Sequence, residues 1–205
     1  MYTTDVLSPT CPPVRTGVPS AATTDHDLLA AIAGGDRQAM RVLYGRHNVK
    51  VFRFILRMVR NEATAEELVS DVFLDVWRLA DRFEGRSQVS TWLLAIARNK
   101  AISALRARAP EALDDEATNA IEDDSDLQDK VLETKDRNAM LRDCLTKLSA
   151  AHREIIDLVY FHEKTIEEIA GLLSVPANTV KTRMFYARKC LAELLGQRGM
   201  KSLRA

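Results

Sequence analysis

The stretch SVPANTVKTRMFYARKC, from Ser174 to Cys190, holds Lys181, Arg183, Arg188 and Lys189 and no carboxylate. Cations concentrated this way suit a phosphate backbone, because each ion-paired phosphate releases condensed counterions. Wound as a helix, the segment turns Val180, Met184, Ala187, Leu191 and Leu194 to one side. The outward arc then carries Asn178, Lys181, Thr182, Phe185 and Lys189. Small polar groups, a phenyl ring and cations on the N-terminal half of a helix are the groups that read base edges and hold phosphates in a major groove. An amphipathic cap on a helical bundle would show the same apolar stripe, so this helix alone leaves both readings open.

A second group with nucleic-acid chemistry stands upstream. Trp92, Ile96, Asn99, Ser103 and Arg106 recur at spacings of four and three, which places them on one helical face. An indole, an amide, a hydroxyl and a guanidinium can stack on bases and bond to their edges and phosphates. Trp92 could instead serve the core, but Leu93, Leu94, Ala97, Ala101 and Leu105 already supply an apolar seam elsewhere on the helix. A third group suits a protein partner. In EATAEELVSDVFLDVWRLA, Leu68, Val69, Val72, Phe73, Val76 and Leu79 gather on one side. Glu67, Ser70, Asp71, Leu74, Asp75 and Arg78 gather opposite. A solvated outer face would be polar throughout; Leu74 among charges points to a docking surface, although single exposed leucines are common.

The elements that position these groups read as helices. Asp25 is a candidate N-cap for DHDLLAAIA, which Gly34-Gly35 closes, and Asp36 can cap the helix that follows. Gly85 breaks the chain before the Trp92 helix, with Ser90 or Thr91 as its cap. Thr165 with Glu168 three residues on forms a capping-box signature for TIEEIAGLL. Only Ser174-Val175-Pro176 separates that helix from the cationic one, the spacing of a helix-turn-helix.

The chain has 205 residues, 29 basic and 29 acidic, with 46% hydrophobic residues and 6% aromatics. That neutrality conceals segments of opposite sign. Arg37 to Arg108 carries 14 basic and 7 acidic residues; Leu141 to Ala205 carries 11 and 7; between them, Ala109 to Asp129 carries 9 acidic residues and no basic one. The implied order is a Pro/Ser/Thr-rich tail (1–24), a first helical domain (25–108), an acidic linker (109–130), a second helical domain (131–197) and a short tail (198–205). The start of the chain has no apolar h-region, and no stretch approaches the roughly 18 apolar residues of a membrane span, so no membrane insertion is expected. Cys11, Cys144 and Cys190 are odd in number and lack metal or disulfide spacing, which suits a reducing cytoplasm. No Gly-rich phosphate loop, H-E-x-x-H motif or clustered His set is visible, so neither an enzyme nor a cofactor is expected.

Four segments in order, LLAAIAGGDRQAMRVLYGRH, AEELVSDVFLDVWRLADRF, STWLLAIARNKAISALR and TIEEIAGLLSVPANTVKTRMFYAR, resemble the bacterial extracytoplasmic-function (group four) sigma factors. The resemblance covers about residues 25–108 and 135–197. It implies an all-α fold of sigma region two and sigma region four joined by a linker. It also implies an alternative sigma factor that binds core RNA polymerase and directs it to specific promoters, in a stress or signal response. The Glu67, Ser70, Asp71, Leu74, Asp75 and Arg78 face would dock on the clamp helices of the largest polymerase subunit, and region four on the flap. The loop Glu84, Gly85, Arg86, Ser87 and Gln88, with Asn99 behind it and the Trp92, Ser103 and Arg106 stripe beside it, would read the minus-10 element and take up a flipped base. On the last helix, Lys181, Arg183 and Arg188 would hold minus-35 phosphates, with Thr182 and Phe185 toward base edges and Asn178 and Lys189 alongside. An anti-sigma factor is an expected partner. The acidic linker would thread the polymerase interior, lie over the basic domains, or act as a plain solvated spacer. Departures from the family pattern are Ser174 where Gly or Asn is usual, Asn178 where Gly is usual, Tyr186 for Arg, and Ser70 for Gln.

Overall fold

The computed structural model describes residues 23–108, 141 and 143–196. Residues 1–22 of the expected tail, Cys11 among them, the acidic linker and the 198–205 tail lie outside the described residues. Every regular element among those described is helical.

Helix α1 (Asp25–Ala33) is capped by Thr24, one residue before the expected Asp25. Thr24 is extended; its hydroxyl accepts the Asp27 N–H at 3.2 Å, and the Asp27 carboxylate accepts the Thr24 N–H at 3.2 Å. Asp25 is thereby released to face helix α2 (Arg37–Val59), where it accepts from Arg46 at 2.8 Å and lies 2.6 Å from the His47 ring nitrogen. Asp36 caps α2 as its sequence suggests, accepting from the Gln38 and Ala39 N–H groups at 2.7 and 3.1 Å. Helix α3 (Glu62–Leu79) is capped by Asn61 and runs into a 3₁₀ turn at Ala80–Arg82. Helix α4 (Val89–Arg108) begins at Val89, because the Gln88 carbonyl already accepts from Thr91 and Trp92 at 3.0 and 3.1 Å. Neither Ser90 nor Thr91 is therefore its cap, and both hydroxyls are left for other partners.

In the C-terminal half, a helical stretch at 143–146 leads to helix α5 (Ala150–Tyr160), capped by Ser149. Helix α6 (Ile166–Leu173) carries the expected capping box: Thr165 accepts the Glu168 N–H at 3.2 Å and Glu168 accepts the Thr165 N–H at 3.0 Å. Ser174 ends it in the left-handed conformation (φ 55°), and helix α7 (Ala177–Gly196) follows directly after Pro176.

Helices α1 to α4 close around Leu28, Leu29, Ile32, Leu43, Phe54, Ile55, Val72 and Leu93, all at most 2% exposed. Each such side chain contributes about 1.5–3 kcal/mol through removal from water. The same core continues into Ile155, Leu158, Ile169, Leu173 and Val180 of α5, α6 and α7. A smaller cluster of Leu148, Ile156 and Ala187 joins α5 to α7. The two helical modules thus rest on one another along α2 and α4.

Candidate nucleic-acid interface

Helix α7 is held by its buried side. Val180 and Ala187 are fully buried and Met184 is half-buried, while Leu191 and Leu194 lie partly covered and Leu195 is buried. Asn178, Lys181, Thr182, Phe185, Arg188 and Lys189 are exposed, Phe185 at 64%. Arg183 is half-buried at the margin of the packed side, apart from the other cations. The Thr182 hydroxyl donates to the Asn178 carbonyl at 2.9 Å, a local bond that a base edge would have to replace. Phe185 meets Tyr186 edge-on with ring centroids 5.5 Å apart, and the Arg188 guanidinium stands 5.7 Å from the Tyr160 ring. Tyr160 and Tyr186, both more than half exposed, extend the aromatic character of this surface beyond the residues that the sequence points to.

The loop before α4 is open to solvent. Glu84, Gly85, Arg86 and Gln88 are exposed and Ser87 is half-buried. Gly85 takes φ 69°, which favours a residue without Cβ, and Glu84 and Arg86 pair across it. Trp92 is half-buried against Phe83, ring centroids 5.2 Å apart, and Phe83 in turn meets the His26 ring in a tilted contact at 5.3 Å. Trp92 therefore does serve packing, while keeping part of its surface free. Asn99, Ser103 and Arg106 continue its face and are exposed.

On the outer side of α3, Glu67, Ser70, Asp71, Leu74 and Arg78 are exposed, Leu74 at 52%. Asp75 is half-buried and pairs with Lys100 at 2.8 Å. Trp77 on α3, 37% exposed, and Tyr44 on α2, 43% exposed, add apolar surface to this half of the protein. The sequence reading omits both. The i, i+3 spacing of Leu74 and Trp77 is the signal that would have found the tryptophan.

Between the modules runs a polar seam that the sequence does not announce. Arg57 of α2 pairs with Asp157 of α5 and lies 4.1 Å above the Phe161 ring. Arg98 of α4 donates to Glu154 of α5 at 2.6 Å. The Thr91 hydroxyl donates to Glu168 of α6 at 2.6 Å. Lys164 donates to Ser90 at 2.6 Å and to Gln88 at 3.4 Å. Burial pushes the Lys164 ammonium below the usual lysine range, more strongly than Glu168 beside it can hold it up. Burial pushes the Glu168 carboxyl up, but bonds from Thr91 and Thr165 and the charge of Lys164 outweigh this and hold it below the usual glutamate range. A cleft of about 280 Å³ opens along the seam, lined by His47, Lys50, Gln88, Ser90, His162 and Lys164 among others. Among the described residues no group of three or more His, Cys, Asp or Glu is arranged to hold a metal ion, and no helix is long and apolar enough to cross a membrane.

An all-helical pair of modules, the second ending in a helix-turn-helix with an exposed cationic face, defines a DNA-binding protein of the sigma-70 type. The chain matches Sigma-70 region 2 over residues 43–111 and Sigma-70 region 4 over residues 138–191. It is 30% identical over 179 residues to the ECF RNA polymerase sigma factor SigK of a Mycobacterium species (strain KMS), covering 85% of this chain and 92% of that one. It is 27% identical over 183 residues to SigK of Mycobacterium tuberculosis, covering 88% and 98%. Among solved structures, the sigma factor RpoE in complex with the anti-sigma factor NepR from Bartonella quintana aligns with a TM-score of 0.60 at 28% identity, over 76% of this chain and 96% of that one. CnrH in complex with the cytosolic domain of CnrY shares the fold with a TM-score of 0.63 at 24% identity, over 84% and 97%. The chain belongs to the ECF RNA polymerase sigma factors: it is an alternative sigma factor, a transcription initiation factor that directs RNA polymerase to promoters.

Proposed function

We propose that the protein acts in the cytoplasm, where it binds core RNA polymerase through the outer face of α3, reads the minus-10 element with the Glu84–Gln88 loop and the Asn99, Ser103 and Arg106 face, and reads the minus-35 element with α7. The observation that carries this is the exposure of all three surfaces on rigid helices: Leu74 among acids on α3, the polar stripe of α4, and the carboxylate-free arc of α7. A helix whose buried side is fixed by Val180 and Ala187 presents its other side in one orientation, as groove reading needs. The likeness to a sigma factor held by an anti-sigma factor supports a further partner of that kind, bound where polymerase would dock. The test is reconstitution: core RNA polymerase with this chain, challenged with a pool of linear DNA, selects fragments that share two spaced elements and transcribes from them without another sigma factor. Selection of DNA with one element, or transcription only when a second sigma factor is added, overturns this reading in favour of a separate DNA-binding regulator.

A further inference from the structure

Tyr160 is the last residue of α5, and the backbone around it is fixed. The Asp157 carbonyl accepts the Phe161 and His162 N–H groups at 2.9 and 3.2 Å, and the Leu158 carbonyl accepts that of Lys164 at 2.9 Å. One helical turn earlier, Ile156 packs with Ala187 of α7 in the cluster that joins the two helices. Tyr160 stands four positions after Ile156, and Arg188 directly follows Ala187. Burial of Ile156 and Ala187 therefore carries the other two side chains to the rim of the contact between α5 and α7. There the Arg188 Cζ lies 5.7 Å over the Tyr160 ring. Tyr160 is 55% exposed and Arg188 is exposed, so this ring adds little to the core. A guanidinium within about 6 Å of a ring centroid is drawn to the aromatic face. That attraction uses none of its N–H groups, so the donor fork that fits phosphate oxygens stays available. Among the described residues no carboxylate pairs with Arg188. Lys181 lies on the same edge of α7, seven positions and about 10 Å away along the axis.

We propose that Tyr160 is a positioning residue for promoter DNA: its ring holds the Arg188 guanidinium in place for a minus-35 backbone phosphate, a role that rests on the assignment of α7 to minus-35 reading. Recognition of that element then draws on α5 as well as on the helix-turn-helix of α6 and α7. A long arginine side chain gives up rotamer freedom when it grips a phosphate. Arg188 has lost part of that freedom before DNA arrives, because the ring already restricts it. The ring should act on affinity and not on sequence choice, since phosphate contacts place a helix without reading bases. It should also act through Arg188 alone, so its effect disappears once the guanidinium is gone.

The test is a double-variant cycle in the holoenzyme: core RNA polymerase with the full chain, titrated against a promoter fragment that it selects. Tyr160→Leu removes the aromatic face and keeps an apolar side chain. It should weaken binding about two- to fivefold on matched and mismatched minus-35 sequences alike, the range that an exposed cation–π contact supports. In an Arg188→Ala background the same change should have no further effect. Tyr160→Phe keeps the ring and should bind like the parent. Additive losses in the cycle overturn the proposal, and so does a Tyr160→Phe variant as weak as Tyr160→Leu, which would place the action in the hydroxyl. A second measurement needs no DNA. The NMR order parameter of the Arg188 Nε–H bond should be higher in the parent and in Tyr160→Phe than in Tyr160→Leu, with backbone order along α7 unchanged in all three. Equal side-chain order in the parent and Tyr160→Leu, or a loss of α7 backbone order in Tyr160→Leu, overturns the positioning role. Lys181→Ala separates this role from the assignment on which it rests. An unchanged salt slope in that variant counts against minus-35 reading by α7, while the order parameters still decide whether the ring holds Arg188.

Discussion

Lys164 Nζ and Ser90 Oγ lie 2.6 Å apart although 74 positions separate them in the chain. The lysine is only 8% exposed and its burial disfavours the charge. Ser90 and Gln88 accept hydrogen bonds from that ammonium, and Glu168 pairs with it at 3.7 Å. Ser90→Ala withdraws one acceptor from a buried donor, and should cost about 1–2 kcal/mol of stability. Urea unfolding should show a lower midpoint. Ala107→Ser, at an exposed position on the same helix, should stay within about 0.5 kcal/mol of the parent. Equal midpoints for Ser90→Ala and the parent would mean that the bond is not formed in solution.

On α7, Lys181 and Arg188 are exposed, and Arg188 is anchored beside Tyr160. Lys181→Ala and Arg188→Ala should weaken holoenzyme binding to all minus-35 sequences alike, each lowering the salt slope by about 0.9 for every phosphate that is no longer neutralised. Thr182→Ala and Phe185→Ala should leave the slope alone and relax the choice among minus-35 sequences. Binding titrations across a salt series on matched and mismatched promoters distinguish the two behaviours. Unchanged slopes in both cation variants contradict this docking of the helix.

The helices and their faces were legible in the sequence because their determinants are local. The Thr165–Glu168 capping box, the Asp36 cap, the Val180 and Ala187 stripe and the exposed Leu74 follow from spacing alone. Single-residue boundaries were less so. Thr24 and Asp25 are both good caps, and only the reach of Asp25 to Arg46 and His47 decides between them. Likewise Ser90 and Thr91 read as caps until their hydroxyls are seen facing Lys164 and Glu168. The seam was illegible for a physical reason. Arg57 with Asp157 and Arg98 with Glu154 are pairings between elements 56 to 100 positions apart, and no periodicity within one helix encodes them. Arg153, the basic residue nearest those acids on α5, gives no hint, because it folds back onto the carbonyls of Leu145, Thr146 and Leu148.

The outer face of α3 should be separable from the fold. Leu74 is 52% exposed and Asp71 is exposed, so Leu74→Ala and Asp71→Arg should each change thermal stability by less than about 0.5 kcal/mol. Asp71→Arg should nevertheless weaken capture of core RNA polymerase at least tenfold, and weaken any anti-sigma partner that covers the same face. Native retention of polymerase by both variants in pull-downs would remove this face from the interface.

Ser174 is a serine in the left-handed region, φ 55° and ψ 44°, at the turn between α6 and α7. A Cβ there costs about 1–2 kcal/mol, part of which glycine returns as greater freedom in the unfolded chain. Ser174→Gly should therefore stabilise the protein by about 0.5–1 kcal/mol, and Ser174→Val should destabilise it by more than that. The melting order Gly above Ser above Val is the expected result. Because the side chain is exposed, a different order would point to a role for the hydroxyl rather than for the backbone.

Asp25 fastens the start of α1 to α2 and gives the fold a pH dependence of known sign. Burial pushes its carboxyl up, but hydrogen bonds from Arg46 and His47 and their charges outweigh this and hold it below the usual aspartate range. A carboxyl whose folded value is depressed is protonated more readily in the unfolded chain, so unfolding takes up a proton and stability rises with pH. The contribution is fully present above about pH 4, the unfolded value, and is lost as pH falls through the lower folded one. Asp25→Asn keeps the shape, removes the titration, and should cost about 1–2 kcal/mol at pH 7, the range for a hydrogen bond to a charged group reduced for the solvent that still reaches the pair. Below about pH 5 the difference between parent and variant should shrink as the parent carboxyl is protonated. Parallel thermal melts from pH 7 to pH 3 measure it directly. Carboxylates common to both chains cancel, so a gap that does not narrow in acid would show that Asp25 acts through packing and not through its charge.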